Sequence, residues 1–94
     1  MSRFAGVAPE RIEETILALV AERGTGKTIC PSEAARALAG SDPEAWSRLM
    51  SDVRRVAVRL MKDGRVVIRR KGREVDPDDF KGVYRIGAAD PPSD

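Results

Sequence analysis

Ninety-four residues, 41% of them hydrophobic and 34% charged, leave room for one folded domain with a single core, and exclude a disordered chain. No apolar run approaches the roughly 20 residues that cross a bilayer, and the first eight residues lack the pattern of a secretory leader, so no membrane contact and a cytoplasmic location are expected. Histidine is absent and Cys30 is the single cysteine, which removes the intrachain disulfide, the usual zinc ligand sets and the base of most triad-type mechanisms; no metal, cofactor or catalytic set is expected, and an enzyme is the least favoured class.

Residues 1–8 read as a flexible lead-in. A first helix opens at Pro9, whose missing N–H costs nothing at the first helical position, and Glu10, Glu13 and Glu14 place negative charge where the helix dipole favours it. Ile12, Ile16, Leu19 and Val20 form one apolar stripe, and Gly24 ends the helix. Gly24-Thr25-Gly26-Lys27-Thr28 ends like a phosphate-binding loop, but that motif needs a glycine where Ala21 stands and follows a strand, so the segment reads as a turn. Lys27-Thr28-Ile29 fits a short strand at a sheet edge. Cys30 to Gly40 is a second, alanine-rich helix with Cys30 at the N-cap and Pro31 after it. A thiol in that position is a candidate redox sensor, and a small buried hydrophobe beside Ile29 is the favoured alternative.

Asp42 as N-cap, Pro43 at the first position and Gly64 past the end predict one long third helix over 43–62. At about 100° per residue, Trp46, Leu49, Met50, Val53, Val56, Ala57, Leu60 and Met61 fall within one arc, with Trp46 as a core anchor. Arg48, Ser51, Arg55, Arg59 and Lys62 gather opposite. The period then becomes two: Arg65 to Arg70 is a β-branched strand, Lys71-Gly72 a turn before Arg73-Glu74-Val75, and Gly82 to Ile86 the returning strand. Between them Asp76-Pro77-Asp78-Asp79-Phe80-Lys81 reads as a long, solvated, mobile hairpin tip rather than a metal or acid–base site. Residues 87–94, with Pro91-Pro92, read as a disordered tail, leaving 9–86 as the domain.

The net charge of +2 conceals a segregation. From Arg48 to Arg73 ten basic residues stand against Asp52 and Asp63, a local balance of +8 that leaves the rest of the chain negative. Such a stretch is the footprint of a polyanion-binding face, because each phosphate neutralised by Lys or Arg releases condensed counterions. The bland alternative is the solvated outer face of an amphipathic helix, and the lack of interspersed Glu on that face weighs against it. The candidate DNA-binding residues are Ser47, Arg48, Ser51, Arg55, Arg59 and Lys62 on the helix and Arg69, Arg70, Lys71 and Arg73 on the hairpin, with Arg55 and Arg59 placed to reach base edges and Lys71 and Arg73 to reach phosphate. With about six phosphates engaged, log K would fall with log[salt] at a slope on the order of −5. As a surface change, Arg55→Ala is expected within about 0.5 kcal/mol of wild-type stability.

The order helix, short strand, helix, turn, long helix, hairpin resembles the winged helix-turn-helix domain over about residues 9 to 86. Pro31-Ser32-Glu33-Ala34-Ala35-Arg36-Ala37-Leu38 is similar to the Pro-Ser-Glu-x-Ala opening of many bacterial helix-turn-helix first helices. The resemblance implies an α+β, mostly α, fold of three helices and a two- to three-stranded antiparallel wing, with Glu44 to Lys62 entering a major groove and the wing on neighbouring backbone. Glu44 departs from it, since an acidic residue at the base-reading end repels phosphate unless it accepts from a cytosine amino group. Ile29-Cys30-Pro31-Ser32-Glu33-Ala34-Ala35-Arg36, Trp46-Ser47-Arg48-Leu49-Met50 and Val53-Arg54 are also similar to a small bacterial family catalogued only as a domain of unknown function. A double-stranded DNA-binding module used in transcription regulation is the leading expectation. A protein-interaction adaptor that binds no nucleic acid is the alternative, since winged helices also serve that role. RNA is disfavoured because Phe4, Trp46, Phe80 and Tyr84 are too few and scattered for a stacking platform.

Overall fold

The computed structural model describes residues 7–89, so most of both expected flexible ends lies outside the described residues. Helix α1 (Pro9–Arg23) is followed by strand β1 (Thr28–Ile29), helices α2 (Pro31–Ala39), α3 (Pro43–Ser47) and α4 (Met50–Lys62), then β2 (Val66–Arg70), β3 (Arg73–Glu74) and β4 (Arg85–Ala88). The strands form one antiparallel sheet in the order β1-β4-β2-β3. The described residues thus make an α+β domain with four helices and four strands. Among them no helix is long and apolar enough to cross a membrane.

Helix α1 buries Ile12, Ile16 and Val20 against α4, as its apolar spacing requires. Helix α2 is tied to α1 through a single carboxylate. Glu33 accepts from the Cys30 backbone N–H at 2.8 Å, which satisfies one of the donors orphaned at the helix start, and it also pairs with Arg23 of α1. The Cys30 N–H, with Arg23 adding to it, holds the Glu33 carboxyl below the usual carboxylate range. A depressed folded-state value means the carboxylate's contribution to stability is complete above the ordinary value of 4.5 and is lost as pH falls through the lower folded value. Glu33→Gln keeps an acceptor oxygen but has no proton to bind, so its Tm is expected to fall less steeply than wild type as pH drops below about 4.5. Identical slopes for the two proteins would remove this linkage.

The helix predicted over 43–62 is two helices. Arg48 and Leu49 form a turn between α3 and α4, with the Leu49 N–H donating to the Trp46 carbonyl at 3.0 Å, an i to i+3 bond tighter than the α-helical pattern. Neither Pro nor Gly marks this break, so spacing alone does not reveal it. Leu49 becomes fully buried with Val53, Val56, Ala57 and Leu60, whereas Trp46, expected as a core anchor, is only partly buried at the rim with Met50 and Met61. Asp52 is buried in the first turn of α4, where the helix dipole favours a carboxylate, and it pairs with Arg55 at 3.0 Å.

In the sheet, Ile29, Ile86 and Ile68 stand in register across β1, β4 and β2 and complete the core, while Thr28, Gly87 and Val67 lie in register on the other face. Lys71 and Gly72 connect β2 to β3 with φ of 53° and 79°, the two positive values that a two-residue type I′ hairpin needs. The returning strand is Arg85–Ala88 rather than Gly82–Ile86. Gly82 has φ of +85°, which strand backbone does not adopt. Gly87, read as the start of a tail, belongs to the sheet: a Cβ there would lie 3.1 Å from the Lys27 carbonyl oxygen and the Thr28 methyl group, so β1 would have to give by a few tenths of an ångström to admit a side chain.

The segment between β3 and β4 is solvated at Asp76, Asp78, Asp79 and Lys81, as expected, but it is anchored rather than a free hairpin tip. It lies along α4, with Asp78 paired to Lys62 at 2.6 Å and Phe80 and Tyr84 buried in the core cluster. Their rings meet edge to face at 5.3 Å. Arg54 of α4 clamps this segment, its guanidinium 3.8 Å from the Phe80 ring centroid and its Nη2 donating to the Phe80 carbonyl at 2.6 Å.

Candidate nucleic-acid interface

The basic residues crowded together in the sequence separate in space. At the C-terminal end of α4, Glu13 of α1 bridges Arg59 and Arg65, each at 2.9 Å, and Asp78 takes Lys62. Carboxylates from positions 13 and 78 therefore neutralise cations that had no local partner. Arg55 is engaged as well, through Asp52. A phosphate approaching Arg59 or Lys62 has to displace a carboxylate that is already in place, and exposed pairs of this kind contribute only about 0 to 1 kcal/mol each, so displacement is affordable but not free.

The opposite end differs. The α3–α4 junction and the β2–β3 hairpin are joined there by the 80–84 segment: Arg54 of α4 holds Phe80, and the Arg70 Nε on β2 donates to the Val83 carbonyl at 2.9 Å. Trp46 and Met50 share a groove with Val83 and Tyr84, which fixes the junction beside the hairpin. Arg48, Lys71 and Arg73 are exposed at this end, and no hydrogen bond or ion pair engages their side chains among the described residues. Ser51 is exposed, and the Ser47 hydroxyl donates to the Glu44 carbonyl at 3.4 Å. Arg69 is half-buried on the outer face of the sheet, in register with Glu74 on one side and Arg85 on the other, and Arg85 is turned onto Thr28 through its Nε at 2.7 Å from Oγ1.

Of the ten candidate residues, the structure brings Ser47, Arg48, Ser51, Arg70, Lys71 and Arg73 to one end, and ties Arg59 and Lys62 at the other. The pairing with Glu13 was invisible to local charge counting, because an ion pair between positions 13 and 59 exists only once α1 packs on α4. In the sequence Arg54 is one of the ten basic residues of the stretch and falls on neither the apolar arc nor the basic face. Its place between the arc of apolar residues and the basic face, five residues after Leu49, is the only sequence signal for its clamp role.

Fold and surface define a small α+β domain in which Arg48, Lys71 and Arg73 are exposed at the hairpin end with no ion pair among the described residues, as Arg11, Lys27 and Lys81 are elsewhere on the surface. The chain belongs to the family described as "Protein of unknown function (DUF3253)", whose model matches residues 9–89 and so takes in every helix and strand described above. None of the curated proteins matches the chain.

Proposed function

We propose that this is a winged-helix domain that binds duplex DNA with its hairpin end, α4 acting as the groove-facing helix and the β2–β3 hairpin as the wing. The observation that carries it is the grouping of Arg48, Lys71 and Arg73, exposed and without a carboxylate partner among the described residues, beside the N-terminal end of α4. The order of elements and the adjacency of β1, β4 and β2 fit a winged helix, in which the N-terminal residues of the recognition helix lead into the major groove. Unpaired Lys and Arg on a turn with no core role are suited to phosphate, whose contacts position a protein without reading sequence. Transcription regulation is the use such binding would serve.

Because Arg59 and Lys62 are already neutralised, fewer phosphates are engaged than charge counting suggests. Anisotropy titrations of a labelled random-sequence duplex are expected to give a slope of log K against log[salt] of about −3 to −4, for about four phosphates. Lack of binding at about 50 mM salt, where screening is weak, overturns the proposal and leaves the protein-interaction adaptor as the better reading.

A further inference from the structure

At the β1 edge of the sheet, the edge opposite the β2–β3 hairpin, guanidinium groups from two distant elements meet on one backbone oxygen. Arg23, in the last turn of α1, donates from Nη1 to the Thr28 carbonyl at 2.9 Å, and Arg85 of β4 donates from Nη2 to the same oxygen at 3.1 Å. The Arg85 Nε also donates to Thr28 Oγ1 at 2.7 Å. Lys27 precedes Thr28, exposed and without an ion pair among the described residues, and Arg69 stands in register beside Arg85 across the β2–β4 pair. Like charges directly opposite each other in a sheet destabilise it, a cost that a shared anion relieves. The carboxylates at hand do not supply one. Glu33 is spent on the Cys30 N–H and Arg23, and Glu74, in register with Arg69 on its far side, forms no ion pair with it.

We propose that this cluster binds a phosphoryl dianion, held by Arg85, Lys27 and the Thr28 hydroxyl. Arg85 spends Nε and Nη2 on Thr28, which fixes the plane of its fork and leaves Nη1 without a protein acceptor among the described residues. Thr28 Oγ1 takes its hydrogen bond from Arg85, so its own proton is free to be donated, and no protein group accepts it among the described residues. Lys27 adds a charge on a long flexible stem. A hydroxyl donor fixed between cations suits an anion, and the number of donors decides the class: a phosphoryl dianion offers three terminal oxygens and up to two charges, a carboxylate two oxygens and one. Gly24 to Thr28 is not a nucleotide-binding loop, yet its last two residues gain cationic neighbours once α1 and β4 close on β1. The site lies across the sheet from Lys71 and Arg73, so it stands or falls independently of the DNA-binding proposal.

Titration of the full chain with inorganic phosphate at pH 7.5, at an ionic strength held constant with chloride, tests this by NMR. Saturable shifts are expected at the Lys27 and Thr28 amides and at the Arg85 Nε–H, with Kd in the millimolar range. Dimethyl phosphate, which carries one charge, and acetate are expected to bind at least several-fold more weakly, which separates a free phosphate or monoester from the phosphodiester of a nucleic acid. Lys27→Gln alters an exposed side chain without a partner, so it is expected to keep the wild-type melting temperature while weakening phosphate about threefold or more. Arg85→Gln removes the fork and is expected to abolish the shifts at Thr28. No saturable shift with phosphate, equal binding of acetate, shifts as large at Lys71 and Arg73 as at Thr28, or unchanged phosphate affinity in a folded Lys27→Gln protein would each overturn the assignment.

Discussion

Leu49→Ala is expected to destabilise the domain by about 3 kcal/mol, within the range of about 2 to 5 kcal/mol seen when a buried leucine is truncated and its cavity only partly collapses. Leu49 has no exposed surface and sits at the α3–α4 break, where it is the first side chain of this stretch to enter the core. In a domain of this size about 4 to 8 °C of melting temperature follows each kcal/mol, so calorimetry should show Tm lowered by more than about 10 °C. Arg55→Ala serves as the comparison. The sequence predicts it to be neutral, but its partner Asp52 is buried, and stranding that carboxylate raises the expected cost to about 1 kcal/mol. A larger loss at Arg55 than at Leu49 would mean that α4 faces the other way.

The second large effect is expected at Arg54, a cation whose role is structural. Arg54→Ala removes the guanidinium stacked on Phe80, worth about 0.5 to 2 kcal/mol, and the charged bond to the Phe80 carbonyl, worth about 1.5 to 3 kcal/mol. Some of this is recovered by solvation of the freed carbonyl, which leaves a net loss of about 2 to 3 kcal/mol in urea unfolding. Arg54→Lys keeps the charge but neither the planar stack nor the forked donor, and should recover less than half of it. Limited proteolysis locates the damage: cleavage between Phe80 and Tyr84 is expected to appear before cleavage within α1, since the clamp holds that segment to α4. Wild-type stability in Arg54→Ala would show that Phe80 and Tyr84 hold the segment without it.

Helix starts and the hairpin turn were legible because they are written in local chemistry. Pro9, Pro31 and Pro43 each open a helix, Cys30 and Asp42 stand at N-caps, and Lys71-Gly72 makes the turn their types suggest. The edge strand at Thr28–Ile29 was also legible, as a short apolar run between a turn and a proline. What escaped depends on tertiary packing. The α3–α4 break carries no Pro or Gly to mark it, and the i to i+3 bond from the Leu49 N–H to the Trp46 carbonyl that forms it is seen only in the fold. Asp76 to Lys81 has the composition of a solvated tip, yet Phe80 within it and Tyr84 after it pull the segment onto α4. Gly87 looks like a terminator, and its reason for being glycine is a neighbouring strand sixty residues away. The basic stretch was legible as charge but not as available charge, because Glu13 and Asp78 reach it only in the fold.

That difference between charge and available charge is the centre of the functional proposal, and one comparison of two triple variants tests it. Both lose three positive charges from the same 26-residue stretch: Arg48, Lys71 and Arg73 changed to Gln at the hairpin end, or Arg59, Lys62 and Arg65 changed to Gln at the carboxylate-paired end. In salt titrations against one random duplex, the hairpin-end variant is expected to lose about three units of slope, roughly one for each phosphate contact removed, with weakened binding at every salt concentration. The other variant is expected to keep a slope within about one unit of wild type. Equal losses in the two variants would show that bulk charge governs binding, and a larger loss at the carboxylate-paired end would contradict the placement of the interface.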